Sequence, residues 1–271
     1  MPDSSAAGNQ LIEYLLAAAG LCAWIALVAQ WRARGAWLPW RPRTPVAWSP
    51  LVALVVCYIA GIVVPIVVRV AAGSGFDAPP LRYVQNRCLT LALQLVVIPA
   101  IVALAASLRP HDFGIFRTAW KQDLLAGGWG YLASLVPVFA MNRLVNVLGW
   151  RAPEGVHPFF GIVQHAPGLM TAAWVALAVV VLAPLAEELL FRVVLQGALE
   201  ARLPPVAAVV LTALAFALIH FAPGRPDALP LFPLALVLGY TYYRRRSYLA
   251  VVVLHGLFNA VNLAFALWIY Q

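Results

Sequence analysis

Apolar residues run through this chain in long blocks that contain no charged side chain. The blocks cover residues 14–31, 44–68, 88–108, 124–142, 155–186, 203–224, 228–243 and 247–271. A helix needs about 20 mostly apolar residues, with roughly 17 to 25 tolerated, to cross the hydrocarbon core of a membrane. The pattern predicts eight transmembrane helices. The block from 155 is too long for one helix and holds Pro158 and Pro167, so the fifth span is expected to start near Leu169, behind a loop or re-entrant segment. The seventh, around 229–243, is the shortest. The expected fold class is all-α, a polytopic integral membrane protein. No internal repeat or low-complexity linker argues for a second domain, and the chain is described in two parts, residues 1–120 with helices one to three and 121–271 with helices four to eight.

Composition changes the picture only by exclusion. Of 271 residues, 63 % are hydrophobic and 10 % charged, with mean hydropathy +0.87; a soluble domain carries about a quarter charged residues. A disordered chain, a nucleic-acid-binding domain and an ordinary soluble enzyme are ruled out. The first block follows "MPDSSAAGNQ", which lacks a basic n-region, and its length exceeds a signal peptide's, so it reads as a retained helix. Cys22, Cys57 and Cys88 lie in or beside spans without metal-ligand spacing. Placing both termini outside the cytoplasm leaves eleven basic residues in inner loops and six in outer ones, and the Arg244–Arg246 triplet is the strongest vote for that topology. Trp37, Trp40, Trp48, Tyr240, Tyr242, Tyr243, Trp268 and Tyr270 fall near span ends as interfacial anchors.

One segment breaks the partition: "VLAPLAEELLFRVVLQ" carries Glu187, Glu188 and Arg192 inside an apolar helix. A charge at the centre of a span costs about 2.5 to 3.5 kcal/mol on insertion scales and usually faces a cavity or a partner. Glu188 and Arg192, at i and i+4, share a face and can pair. Glu187 is rotated by about 100° and has no local partner. Pro184, one turn earlier, removes a backbone donor and loosens the helix. Two later spans supply complementary groups, each pair one turn apart: Phe216 with His220 in "FALIH", and His255 with Asn259 in "HGLFN". Asn262, a turn beyond, is expected to serve helix packing. Asn142 and Asn146 suit a substrate path or an interface, and His157 and His165 a solvated loop.

These six polar groups on three helices suit hydrolysis of a peptide bond, which needs an activated water, an oxyanion site and a proton for the leaving amine. Glu187 is the expected general base, with His220 sharing its water, and His255 and Asn259 the expected oxyanion donors. "EELLFR" at 187–192, "FALIH" at 216–220 and "HGLFN" at 255–259, in that order, resemble the EExxxR, FxxxH and HxxxN motifs of the CAAX protease and bacteriocin-processing (CPBP or Abi) membrane enzymes, which include the type II CAAX prenyl endopeptidases. The resemblance covers about residues 170–265. It implies the same division of roles, with Glu188, Arg192 and Phe216 supporting, a catalytic cavity between helices five, six and eight, and no cofactor. It also implies a membrane-anchored protein or peptide as substrate, lipidated or carrying a carboxy-terminal sorting tag, and a location in the bacterial cytoplasmic membrane.

Two other readings stay open: a zinc protease using His220, His255 and a glutamate, and a transporter or immunity scaffold whose buried charges mark a proton path. The absence of an HExxH helix weighs against the first, and the HxxxN pair, which a proton path does not need, against the second. Depth poses a problem. Along a continuous helix Glu187 lies roughly 22 Å from Arg202, while His255 lies roughly 13 Å from Arg246. The expected remedy is a helix five that ends near Leu195, with "QGALEAR" along the membrane interface.

Overall fold

The computed structural model describes residues 4–42, 45–73, 79–106, 110–115, 119–150, 162, 168–221 and 228–269. His157 and His165 lie outside them. The described residues form helices and no strand. Eight rods follow one another: α1 Ser4–Arg34, α2 Pro50–Ala71, α3 Pro80–Ala105, α4 Trp120–Val147, α5 Leu169–Glu200, α6 Pro205–His220, α7 Leu231–Arg245 and α8 Tyr248–Ile269. The protein is an all-α polytopic membrane protein. Six rods are long and apolar enough to cross a membrane, whereas α6 and α7, with 16 and 15 residues, are shorter than a full span. The start of α5 at Leu169 is where the proline-broken block places it.

The second half of α5 is the axis of the molecule. Every residue from Leu189 to Ala198 is buried, so this stretch is enclosed by protein on all sides. The α2, α6, α7 and α8 rods pack around it. On one flank α4 lies against α8 closely enough that a Cβ on Gly127 would stand 2.6 Å from the Ala250 carbonyl oxygen. Close backbone approach through small residues is the usual way helices associate where hydrophobic burial offers no drive.

Two rods carry a π-helical turn immediately before a proline. In α2 it spans Ile59–Val63, ahead of Pro65; in α5 it spans Leu177–Leu182, ahead of Pro184. A second π stretch, Leu189–Gln196, follows the acidic pair. In α2 the Val64 N–H reaches back to Ile59, and Pro65 has no N–H, so the Ala60 carbonyl is left without either ordinary main-chain donor. Gln94 of α3 repairs it: its Nε2 donates to Ala60 O at 2.7 Å. A buried carbonyl with no donor is costly, which is why a side chain from another helix is held there.

The charged ends of the rods depart from the expected partition in three ways. First, helix five does not end near Leu195; it continues to Glu200, and "QGALEAR" does not lie along an interface. Gln196 is fully buried and its Nε2 donates to Glu200 Oε1 at 2.7 Å and to Gly239 O at 2.9 Å. Second, Arg245 and Arg246 are buried rather than solvated. Arg245 pairs with Asp123 at 2.8 Å, which also accepts from Arg41, and Arg246 pairs with Glu200. Arg246 adopts a left-handed backbone (φ 50°) as it ends α7, a conformation normally left to glycine, and its ion pair holds it there. Third, Trp48 is no interfacial anchor: it is buried, and its indole donates to Val194 O at 3.0 Å. Tyr242 is likewise buried.

Candidate active site

Helices α5, α6 and α8 converge where the three motifs place their polar residues. Glu188 is the centre. It is fully buried; Arg192 Nε lies 3.1 Å from its Oε2, one turn along the same helix, and His255 Nδ1 of α8 lies 2.8 Å from its Oε1. The shared face of Glu188 and Arg192 is therefore realised, and the pair is extended by a histidine from another helix. A charge pair this deep survives only with such added hydrogen bonding.

Glu187, without a partner on its own helix, faces α6. Its Oε2 stands 3.8 Å from His220 Nε2, beyond a direct hydrogen bond, and both side chains keep some exposure, 15 % and 29 %, where Glu188 and Arg192 have none. His220 Nδ1 bonds the Phe216 carbonyl at 2.8 Å. A carbonyl only accepts, so Nδ1 carries a hydrogen, and Nε2 is the ring nitrogen that faces Glu187.

Phe216 is the wall between these pairs. It is buried, stacks at 4.7 Å on the His220 ring, meets the His255 ring at 5.8 Å and Phe191 at 5.2 Å, and lies 5.2 Å from the Arg192 guanidinium carbon. An aromatic face toward a buried guanidinium offers cation–π attraction where no water can solvate the charge.

Asn259 occupies a position that its motif does not announce. The Ala183 N–H goes back to Ala178, and Pro184 has none, so the Val179 carbonyl loses both ordinary donors. Asn259 Nδ2 donates to it at 2.8 Å. One turn earlier in α8, a Cβ on Gly256 would stand 3.2 Å from Val180 O, so glycine lets α8 come this close to the π turn. An amide nitrogen has two hydrogens, and the second remains available. Asn262 instead bonds Phe258 O of its own helix and is exposed; Asn146 is exposed as well.

Tyr248 is part of this neighbourhood without any signal in the sequence. Its hydroxyl donates to Leu185 O at 2.6 Å, two residues before Glu187, and ties the start of α8 to the acidic segment. A tyrosine at the start of an apolar span looks like an interfacial anchor; only the packing of α8 on α5 shows otherwise. Among the described residues no group of three His, Cys, Asp or Glu side chains converges as a metal-ligand set.

Three converging helices thus bring two carboxylate–histidine pairs, one buried and one partly exposed, beside a buried guanidinium. Residues 169–261 match the family model described as type II CAAX prenyl endopeptidase Rce1-like, so this part of the chain is similar to the CAAX-type intramembrane proteases. The match spans α5 to α8 up to Val261 and includes all seven site residues. No curated protein and no solved structure matches the chain.

Proposed function

We propose that the protein is an intramembrane endopeptidase that hydrolyses a peptide bond of a membrane-anchored protein or peptide, with Glu187 and His220 activating the water and without a metal ion. The observation that carries this reading is the 3.8 Å gap between Glu187 Oε2 and His220 Nε2. In this scheme the His220 ring is neutral, its Nε2 and the Glu187 carboxylate are both acceptors, and a water between them donates one hydrogen to each. Its oxygen then attacks the scissile carbonyl carbon as Glu187 takes a proton. The C–N bond breaks as that proton passes, directly or through His220, to the leaving nitrogen.

The carbonyl oxygen becomes an oxyanion. Its donors in this scheme are the second Asn259 N–H and the His255 Nε2–H. Glu188 accepts from Nδ1 and so stabilises the doubly protonated imidazole that Nε2 donation requires. Metal independence is the reading the sequence favours, since it holds no HExxH helix. The count of eleven basic residues in inner loops against six in outer ones supports an orientation with both termini outside the cytoplasm.

The test compares membranes from cells that express the wild type or Glu187→Gln at equal level, with all protein termini mapped by mass spectrometry. A set of termini present only with the wild type, unchanged after strong chelation, is the expected result. Identical termini in the two membranes overturn the protease reading, and loss on chelation overturns metal independence.

A further inference from the structure

Helices α1, α4 and α7 line a half-open cavity of about 230 Å³ that none of the site residues lines. Its walls are Trp24 and Leu27 of α1, Trp129 of α4, and Val237 and Tyr240 of α7, with Trp37 and Leu38 from the α1–α2 connection. The Trp37 ring meets Trp24 edge-on at 5.7 Å and Tyr240 at 5.6 Å. A cavity of about 150 Å³ already holds benzene, so this one accommodates a run of several methylene groups.

Polar groups meet the cavity where Trp37 and Leu38 line it. The Trp37 Nε1 hydrogen is shut off from solvent and has no acceptor among the described residues. Arg244 stands one turn beyond Tyr240 on α7. Its Nε and Nη2 both donate to Leu38 O, at 3.1 and 2.7 Å, and its guanidinium lies 5.2 Å over the Trp40 ring. Its Nη1 has no partner among the described residues. Around it Arg41 and Arg245 pair with Asp123, and Arg246 pairs with Glu200.

We propose that the cavity is a binding site for an anionic glycerophospholipid, independent of the protease site. One acyl chain fills the aromatic cavity, an ester carbonyl accepts from Trp37 Nε1, and the phosphate lies at Arg244. A hydrocarbon tail alone would fill the space. It is the orphaned indole donor and the arginine at the same end that call for an ester and a phosphate. An isoprenyl thioether and an apolar partner helix bring neither group.

The test uses the whole protein in phosphatidylcholine vesicles doped with phosphatidylglycerol or phosphatidylcholine that carries a diazirine in one acyl chain. After photolysis, cross-links are mapped by mass spectrometry. The phosphatidylglycerol probe is expected to label Trp24, Leu27 and Val237 about fivefold more than the phosphatidylcholine probe, as one basic residue at a membrane surface implies. Arg244→Gln should bring that ratio to about one, as the loss of that single basic residue implies. Val237→Trp, which fills the cavity, should abolish the wall label and leave lipid-facing Leu51 and Val70 labelled as before. Even labelling of the wild type over all exposed helix faces, or equal labelling by the two probes, overturns the proposal without reference to any variant. Displacement of the label by a farnesylated peptide overturns it as well, and would make the cavity a substrate subsite.

Discussion

The π turns of α2 and α5 are the same backbone event in two different places. In each, the residue before a proline bonds five residues back, the proline offers no N–H, and one carbonyl is orphaned: Ala60 in α2 and Val179 in α5. In each, a side-chain amide from a neighbouring helix supplies the missing hydrogen, Gln94 at 2.7 Å and Asn259 at 2.8 Å. The surroundings differ. One turn from Gln94 lie Thr90, Leu91 and Ile98, all buried and none ionisable. One turn from Asn259 lies His255, bound to Glu188. The α2 turn lies outside the region that matches the protease family and the α5 turn within it. The bond from Asn259 to Val179 is thus no evidence of chemistry, since the molecule makes the same bond where there is none. Any catalytic contribution of Asn259 must come from its second N–H, and the two amides should part company in activity while agreeing in stability.

The largest expected effect is on turnover. Removing one oxyanion donor typically slows an enzyme by about 10²- to 10³-fold, so Asn259→Leu should lose activity by about that factor. Gln94→Leu should keep kcat within about threefold, since a surface or core change away from the site alters stability, not the transition state. The measurement is the rate of appearance of wild-type-specific termini at matched protein level. Equal losses in the two variants would erase the distinction and make Asn259 a structural residue only.

Stability should move by less, and alike. Each variant leaves one carbonyl without its donor, buried at Ala60 and part-buried at Val179, which costs about 1–3 kcal/mol where the group is fully buried. The unfolding midpoint in mild detergent should therefore fall for both, by comparable amounts. A fall for Gln94→Leu alone would show that Val179, on the more exposed side of α5, finds another donor.

The hydrophobic pattern made these helices legible and left these turns invisible. Charge-free blocks give span length because lipid penalises every exposed charge, and Glu187, Glu188 and Arg192 stand out for the same reason. A π turn adds one residue to a helix that is apolar on all faces, so the pattern on either side does not change. Nor does a charge run reveal its partners. Arg245 and Arg246 read as a topology signal because Asp123 and Glu200, which neutralise them, lie 122 and 46 residues away. Trp48 sits just ahead of α2, where an anchor belongs, yet a carbonyl of α5 takes its indole hydrogen. Motif spacing brought His255 to the site; that its first partner is Glu188 and not a substrate oxygen follows only from the packing of α8 against α5.

The smallest effect is the one that tests the repair itself. Pro184→Ala returns a main-chain N–H to α5. In the background of Asn259→Ala that donor can close on Val179, and the double variant should recover about 1 kcal/mol of the lost stability, the net worth of one hydrogen bond. Pro65→Ala should rescue Gln94→Ala in α2 by a similar amount, at Ala60. Activity should not return with stability in α5, because a main-chain N–H at residue 184 satisfies Val179 and offers nothing to an oxyanion. A mutant cycle of unfolding midpoints reads both pairs, since coupled groups depart from additivity and independent ones do not. Additive losses in α5 beside clear coupling in α2 would mean that Pro184 and Asn259 act separately, and that only α2 is held by an amide standing in for a proline's missing hydrogen.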